Sequence, residues 1–425
     1  MIRIYDFDEV KEKILERAIE SGSVDRIVKS IIDDVRKRGD EALFEYAEKF
    51  DKAKLDTLRV SEEEIETAFN SVDKSFIKIL EEARDNIALF HEKQLPKSFE
   101  VKKDGGIILG QKVTPIPRVG IYVPGGTASY PSTVLMNAVP AAIAGVKEIV
   151  MVTPPRSDGS VLPEVLAAAK IAGVTEIYKV GGAGAIAALA YGTESIRKVY
   201  KITGPGNIYV ATAKKLVYGL VSIDMIAGPS EILVIADESA SPVHVAADLL
   251  SQAEHDRIAE AVLITTDIRL ANETAKELER QIPELERAEI ARESIDNLGK
   301  IIIVPDMDTA VKVANEIAPE HLELYVKEPF ELLSRIENAG SIFLGGYSPE
   351  PLGDYFAGPN HTLPTSGTAK FSSPLSSADY VKKSSYIYYP KEELKKVKDK
   401  VAEFAKREGL TAHAESVLKR FKETL

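Results

Sequence analysis

The chain of 425 residues contains no cysteine. This absence excludes disulfides, thiolate nucleophiles and cysteine-based zinc fingers, so any metal must be held by nitrogen or oxygen ligands. The sequence also lacks a run of about 18 apolar residues, the length that a membrane-spanning helix needs. The N-terminal segment MIRIYDFDEV has no basic region followed by an apolar run, so it does not read as a signal peptide. These absences predict a cytoplasmic protein that has no membrane partner.

An excess of positive charge is missing too, because the formal net charge is −12. Nucleic-acid binding needs a basic face, so this balance argues against a nucleic-acid partner. Hydrophobic residues make up 44% of the chain and charged residues 28%, which suits a folded protein with buried cores. At about 150 residues per domain, the length predicts two to four domains.

The secondary-structure pattern changes along the chain. The first hundred residues read as helices, with a capping box at Ser61 and Glu64, and Asp104-Gly105 then marks a hairpin turn. From residue 119 short apolar strands alternate with helices, and a second such series begins at residue 231. This alternation predicts an α/β fold with two Rossmann-like units on parallel sheets. The charged helical segment at the C-terminus reads as a tail that packs on another surface.

Three glycine-rich segments follow predicted strands. Residues 182–187 (GAGAIA) fit the G-x-G-x-x-A dinucleotide motif, but no acidic residue stands about 20 positions further on. This segment alone reads equally well as a phosphate loop or as a tight turn. Residues 123–126 (VPGG) and 204–207 (GPGN) also follow strands, so all three turns are expected at one sheet edge, where α/β sheets bind ligands. The set favours a nucleotide site.

Six histidines supply candidate metal ligands. His91 and His244 lie in helical patterns and read as packing residues. The other four stand among polar neighbours and have an acid or an amide nearby: Gln252 with His255, Glu320 with His321, Asp354 with His361, and Glu408 with His413. Two histidines, one aspartate and one amide oxygen from separate segments would suit zinc.

Glu320 and His321 are adjacent at the start of a strand-like run, HLELYV. Such a pair can divide two proton transfers between a carboxyl and an imidazole, although a helix-end glutamate beside a surface histidine is the commoner meaning of this pattern. Ser230 precedes a strand after a tight turn, without a G-x-S-x-G elbow around it, so we expect it to hydrogen-bond rather than to act as a nucleophile.

Taken together, these segments resemble those of histidinol dehydrogenase, in the family's order, from about residue 115 to residue 415. The resemblance is carried by VGIYVPGGTASYPSTVLMNAVPAAIAGVKEI, VGGAGAIAALAYGT, GPGNIYVATAKK, IDMIAGPSEILVIAD, DLLSQAEHD, IAPEHLEL, GDYFAGPNHTLPTSGTA and EGLTAH. It implies a homodimer whose chains have two incomplete Rossmann-like domains and smaller helical N- and C-terminal extensions. The expected division is an N-terminal helical arm (1–20), a first Rossmann-like domain with a helical lead-in (21–118 plus 232–375), a second Rossmann-like domain (119–231), and a C-terminal helical tail (376–425) that reaches the partner subunit.

The resemblance also implies a reaction and roles for individual residues. L-histidinol would be oxidised through L-histidinaldehyde to L-histidine by two NAD+, the last step of histidine biosynthesis. His321 would take the alcohol proton, and Glu320 would activate water. One zinc ion per subunit would be held by Gln252, His255, Asp354 and His413. The implied substrate contacts are Ser230, Gln252, His255, His321, Asp354, His361, Glu408 and His413, and the tail that carries the last two would come from the partner, so that each site is shared.

The implied NAD contacts are Tyr122, Gly184 and Asn207. Gly184 departs from the family pattern, which has glutamine at this position, so that either NAD binding is weaker or a backbone contact replaces the missing amide. The family does not rely on the G-x-G-x-x-A motif, so that match carries little weight.

Two other functions stay open at this level. The first is the oxidation of a different polar alcohol with zinc and NAD on the same scaffold, against which the presence of both Glu408 and His413 argues. The second is a metal- or nucleotide-binding protein without activity, since a fold alone does not determine a function. Such a protein would not need the adjacent Glu320 and His321.

Overall fold

The chain divides by compactness into two units. A computed structural model describes residues 2–11, 22–125 and 129–422. One unit is formed by Met1–Gln94 with Ile116–Tyr380, and the other by Leu95–Pro115 with Val381–Leu425. Gly126, part of one predicted strand-end turn, and much of the predicted N-terminal arm lie outside the described residues. No helix in the described ranges is long and apolar enough to cross a bilayer.

The strands of the described residues are, in chain order, β1 (Arg3–Asp6), β2 (Phe99–Lys103), β3 (Ile107–Pro115), β4 (Arg118–Tyr122), β5 (Glu148–Thr153), β6 (Glu176–Lys179), β7 (Lys201–Thr203), β8 (Ser222–Ile223), β9 (Glu231–Ala236), β10 (Glu260–Thr265), β11 (Lys300–Ile303), β12 (His321–Tyr325), β13 (Ser341–Leu344) and β14 (Val381–Tyr388).

The helices are α1 (Phe7–Val10), α2 (Gly22–Arg38), α3 (Asp40–Tyr46), α4 (Glu62–Ser71), α5 (Lys74–His91), α6 (Pro131–Ile143), α7 (Pro163–Ile171), α8 (Gly182–Tyr191), α9 (Ile208–Val217), α10 (Pro242–Ala253), α11 (Ile268–Gln281), α12 (Ala288–Asn297), α13 (Met307–Ile317), α14 (Pro329–Leu333), α15 (Glu350–Tyr355), α16 (Lys391–Arg407) and α17 (Thr411–Leu418).

A five-stranded parallel sheet in the first unit has the order β6-β5-β4-β7-β8. Its central strands are buried along their whole length, because helices cover both faces of a parallel sheet. The chain runs outward from β4 to β6 and then returns to β7, on the other side of β4. This reversal opens a crevice at the carboxyl ends of β4 and β7, the place where open α/β sheets bind ligands.

A six-stranded parallel sheet has the order β1-β11-β10-β9-β12-β13. After β9 the chain adds β10 and β11 on one side, and it then adds β12 and β13 on the other side of β9. The prediction of two strand–helix series on parallel sheets is therefore confirmed. Its edge strand β1 lies within the segment predicted as a helical arm, and for Arg3–Asp6 that helical prediction is wrong. Pairing with β11 satisfies the backbone of this segment and buries Ile2 in the core, which one short helix would not do.

The helices predicted for the first hundred residues are present between residues 22 and 91, and α2 and α3 pack on α8 and α9, the helices that follow β6 and β7 of the five-stranded sheet. Val28, Ile32 and Leu43 share one buried core with Ile186 and Leu189 of α8. The small side chains of α8, GAGAIAALAY, let other helices approach closely. The sequence-based division had instead grouped residues 21–118 with 232–375. The grouping of α2 and α3 with residues 232–375 is wrong. An apolar stripe shows that one face of a helix must be buried, but it does not show which part of the fold covers that face.

The second unit contains an antiparallel sheet of order β14-β3-β2 and the helices α16 and α17. The hairpin predicted around Asp104-Gly105 is confirmed, since β2 and β3 pair there. The tail is not helical throughout, because Val381–Tyr388 forms β14 along β3. The pairing of β14 with β3 gives hydrogen-bond partners to backbone N–H and C=O groups of β3, which would be unpaired if β3 were an edge strand.

Candidate active site

Glu320 and His321 lie at the amino end of β12, beside the amino end of β9. They are buried, with 7% and 3% of their surface exposed. Glu320 Oε2 accepts a hydrogen bond from the Glu231 backbone N–H at 2.9 Å, and His321 Nδ1 lies 3.0 Å from the Glu231 backbone oxygen. One residue of β9 therefore fixes both side chains. Because a carbonyl oxygen only accepts, Nδ1 carries the proton of the neutral ring and Nε2 is the basic atom.

Two further carboxyl groups surround the His321 ring. Its Nε2 lies 3.7 Å from Asp354 Oδ1 and 3.9 Å from Glu350 Oε1. One ligand atom from each of these three residues falls within 4.8 Å of the others, so the cluster could hold a cation. Glu323 Oε1 accepts the Glu350 backbone N–H at 2.8 Å and so fixes the start of α15.

Sequence reasoning missed Glu350. The available signal was its position four residues before Asp354 in SPEPLGD, just after a proline. This spacing places two carboxyl groups on one face of a helix.

Burial and the crowding of acids shift the pKa values of this cluster. Burial raises the pKa of Glu320 to about 7, and burial together with Asp354 raises that of Glu350 to about 8. Burial alone would lower the pKa of His321, but Glu320, Asp354 and Glu350 outweigh it and raise the value to about 10. Burial opposes ionisation of Asp354, yet the adjacent imidazoles of His321 and His361, when charged, hold the Asp354 pKa well below the usual range.

Gln252 and His255 lie at the end of α10. Gln252 is 1% exposed, and its Oε1 has no hydrogen-bond partner among the residues that the structure describes. His255 follows the helix end, and its Nδ1 lies 2.8 Å from the Ser251 backbone oxygen, which leaves Nε2 as a ligand atom. Ser251 Oγ donates to Glu350 Oε2 at 3.0 Å, so this end of α10 contacts α15.

His361 and Ser230 complete the predicted residues of this unit. His361 Nδ1 lies 3.1 Å from the Asp354 backbone oxygen and 3.9 Å from Asp354 Oδ1. Burial lowers the pKa of His361. Ser230 is half-buried and directly precedes Glu231, the residue that fixes the Glu320–His321 pair. The structure thus gathers the predicted residues of four chain segments around α15 and the start of β9.

Glu408 and His413 belong to the second unit. Both are exposed and line a cavity of about 840 Å³ together with Phe404 and Leu410. Their roles as substrate contact and zinc ligand stay predictions.

Tyr122 and Asn207, two of the predicted cofactor contacts, lie at the crevice between β4 and β7. Tyr122 ends β4, and its hydroxyl accepts a hydrogen bond from the Gly182 backbone N–H at 3.2 Å. Asn207 caps α9, its Oδ1 accepting from Tyr209 N–H at 3.1 Å and from Val210 N–H at 3.2 Å. Their roles as cofactor contacts stay predictions.

Gly184, the third predicted cofactor contact, is buried within α8. A Cβ at this position would lie 3.4 Å from Tyr46 and 3.5 Å from Leu43, both in α3. Glycine here permits close helix packing, and the cofactor contact stays a prediction. The motif around Gly184 also has its first N–H engaged by the Tyr122 hydroxyl, so it does not present an open phosphate loop.

The fold and this site define an α/β protein with two parallel sheets and, at the end of one of them, a buried cluster of acids and histidines that could exchange protons or hold a cation. A family model described as Histidinol dehydrogenase matches residues 15–421. The histidinol dehydrogenase of Clostridium acetobutylicum is 56% identical over 416 residues, 98% of this chain and 96% of the relative. That of Bacillus cereus is 60% identical over 401 residues, 94% of this chain and 93% of the relative.

A solved structure supports the same conclusion. The crystal structure of histidinol dehydrogenase from Elizabethkingia anophelis matches with a TM-score of 0.94 and 38% identity, over 99% of this chain and 98% of that one. The chain belongs to the histidinol dehydrogenase family, as the sequence segments predicted, and is therefore an oxidoreductase.

Proposed function

We propose that this chain oxidises L-histidinol through L-histidinaldehyde to L-histidine, with the reduction of two NAD+ and with one zinc ion per subunit. The observation that carries the proposal is the buried Glu320–His321 pair, which the N–H and C=O of Glu231 hold at 2.9 and 3.0 Å in a chain of this family. An inactive binding protein has no need of such a pair. The cytoplasmic location predicted from the sequence stays a prediction.

The residues around α15 suit zinc. The buried Gln252 Oε1 has no partner among the described residues, and His255 has Nδ1 held so that Nε2 can bind. With Asp354 and the partner's His413, they would form a nitrogen–oxygen ligand set of the kind that zinc accepts. Zinc bound there would hold the imidazole and amine of histidinol, and its charge would oppose that of Asp354 and so lower the pKa of His321 towards neutrality.

His321 and Glu320 would divide the proton transfers. In the first oxidation, His321 Nε2 would take the proton of the hydroxyl group while the carbon that bears this hydroxyl loses a hydride to NAD+. In the second, Glu320 takes a proton from the water that hydrates the aldehyde, and the hydrate then loses a hydride to a second NAD+. The pKa of about 7 for Glu320 suits this role, because a base works best when its pKa is near the working pH.

The crevice between β4 and β7 is our proposed place for NAD. Tyr122 and Asn207 flank it, and α9 begins there, so that the positive end of the helix dipole would favour a phosphate. The chain reversal at this edge gives the same position on general grounds.

The active site would be completed by a second copy of the chain. In a homodimer, Glu408 and His413 would reach the site of the partner subunit, where they would contact substrate and zinc. Their exposure beside the apolar residues Phe404 and Leu410 supports a surface that another chain covers.

The test is NADH formation on adding L-histidinol to zinc-loaded protein. Two NADH per histidinol consumed are expected. The His413→Ala variant should lose both zinc and activity, whereas His244→Ala, a histidine outside the proposed site, should keep both.

Absence of NADH with histidinol, together with turnover of another alcohol, would show that the scaffold is right and the substrate wrong. Full activity of His413→Ala would contradict the shared site.

A further inference from the structure

A buried ion pair lies beside the five-stranded sheet, away from the catalytic residues. Lys214 Nζ in α9 is 2.5 Å from Asp224 Oδ1, and the side chains are 2% and 0% exposed. Burying two charges costs several kcal/mol before their attraction is counted, and well-packed apolar residues often serve stability equally well. Stability alone is therefore a weak reason for this pair.

Both partners also hydrogen-bond to the backbone of one residue, Gly204, and Asp224 Oδ1 accepts a further bond from the Met225 backbone N–H at 2.6 Å. Lys214 Nζ donates to the Gly204 backbone oxygen at 2.9 Å, and the Gly204 backbone N–H donates to Asp224 Oδ2 at 2.7 Å. Both backbone polar groups of Gly204 are thus held by charged side chains. Bonds to ionised groups are stronger and better defined than neutral ones, so the pair fixes this residue in space.

Gly204 itself is a point of close approach. Its φ is +115°, a region that favours glycine, and a Cβ there would lie 2.1 Å from the Tyr122 backbone oxygen. The turn that starts at Gly204 leads directly to Asn207, the cap of α9. The position of Gly204 therefore determines how the end of β7 and the start of α9 face the end of β4.

We propose that Lys214 and Asp224 are positioning residues for the nicotinamide dinucleotide. The ion pair clamps Gly204 so that Tyr122 and Asn207 are held in the arrangement that binds the cofactor before the cofactor arrives. This inference rests on the proposed function, since it takes the β4–β7 crevice as the NAD site. Neither residue touches the ligand in this proposal, and the effect passes through the backbone of the turn.

The test compares two double variants that both remove the buried charges. Lys214→Gln with Asp224→Asn keeps a donor for the Gly204 oxygen and an acceptor for its N–H, whereas Lys214→Met with Asp224→Leu keeps neither. NAD affinity is measured by calorimetry on the metal-free protein, and zinc affinity by competition with a chelator. The KM for NAD and for histidinol and kcat follow from steady-state assays of the zinc-loaded protein.

We expect the Met/Leu variant to bind NAD about tenfold more weakly, the loss of roughly two modest hydrogen bonds, and to show a similar rise in the KM for NAD. Its zinc affinity, kcat and KM for histidinol should stay within about twofold of the parent, a range that corresponds to under half a kcal/mol. The Gln/Asn variant should bind NAD nearly as the parent does. Equal NAD affinity in the Met/Leu variant and the parent would overturn the inference, as would equal weakening in both variants.

A second measurement covers the case in which the Met/Leu variant does not fold. Amide hydrogen exchange at Gly204 in the parent, without NAD, should be slow if the clamp is preformed, and fast exchange would overturn the inference. The parent also separates the two proposals. If the parent itself binds no NAD, the proposed function is wrong. If the parent binds NAD and both variants bind it equally well, only the proposed role of Lys214 and Asp224 is wrong.

Discussion

The buried amide of Gln252 leads to a prediction in which zinc binding and stability respond in opposite directions. The side chain is 1% exposed, and its Oε1 has no hydrogen-bond partner among the described residues. A buried acceptor without a partner costs about 1–3 kcal/mol. Gln252→Leu removes that acceptor and keeps a similar volume, so metal-free protein should become more stable by about 1–2 kcal/mol.

The same change should weaken zinc binding strongly. Loss of a residue that hydrogen-bonds to a metal ligand already lowers metal affinity by about 10- to 100-fold, so loss of a ligand itself should lower it by at least that factor. The free energy of unfolding is measured by urea denaturation of chelator-treated protein, and the zinc affinity by competition with a chelator.

Gln281→Leu is the matched control. The Gln281 amide donates to the Val243 backbone oxygen at 3.0 Å, so it is a satisfied glutamine. Its replacement should lower stability slightly and leave zinc affinity unchanged. A Gln252→Leu protein that is less stable without metal than the parent would refute the reasoning, because the Oε1 atom would then have a stabilising partner. Unchanged zinc affinity would remove Gln252 from the ligand set.

Three further predictions concern the same two sheets. Glu320→Gln should slow NADH formation from histidinaldehyde by about 10²- to 10⁴-fold, while the first hydride transfer persists. In the parent, the rate of the aldehyde step should rise with pH through about 7, as Glu320 loses its proton. Single-turnover absorbance measures both rates. For Glu350, the folded pKa of about 8 stands above the reference value of 4.5, so the folded chain keeps a proton that the unfolded chain releases. Unfolding free energy should therefore fall as pH rises between these values, and Glu350→Gln should flatten that fall in urea titrations of metal-free protein. Gly204→Ala should lower the unfolding free energy by about 3 kcal/mol or more in the same assay, because its Cβ would meet the Tyr122 backbone oxygen. The control is Gly219→Ala, which should cost about 1 kcal/mol, because Gly219 has a φ of +99° but no atom within 4 Å of the added Cβ. Equal costs would show that the backbone conformation, and not the close approach, determines the loss of stability.

Local patterns were enough for much of the fold. Apolar runs separated by helical segments predicted both parallel sheets, and the hairpin at Asp104-Gly105 and the capping box at Ser61 are present. These features depend on residues close together in the chain. The resemblance in long, unusual segments gave the family, which the comparisons confirm.

The edge strands and the packing of the N-terminal helices were not predicted from the sequence. Arg3–Asp6 and Val381–Tyr388 form strands in segments read as helical, because each is stabilised by a partner strand far away in sequence. The helices α2 and α3 share a core with α8, beside the five-stranded sheet and not beside the six-stranded sheet as expected, since their apolar stripes carry no information about the covering surface. Burial of Gly184 against α3 has the same origin.

For the site, the sequence by itself determined which side chains could perform the chemistry: with no cysteine, only imidazole, carboxylate and amide groups were left as ligands, and the adjacency of Glu320 and His321 was plain to read. Only the tertiary structure decided how those groups are held. It placed the backbone of Glu231 between the pair, brought Glu350 to His321, and buried the acids deeply enough to raise the pKa of Glu320 to about 7. The physical reason is that a side chain's identity is local, whereas its desolvation and its neighbours come from segments that meet only when parallel strands pair.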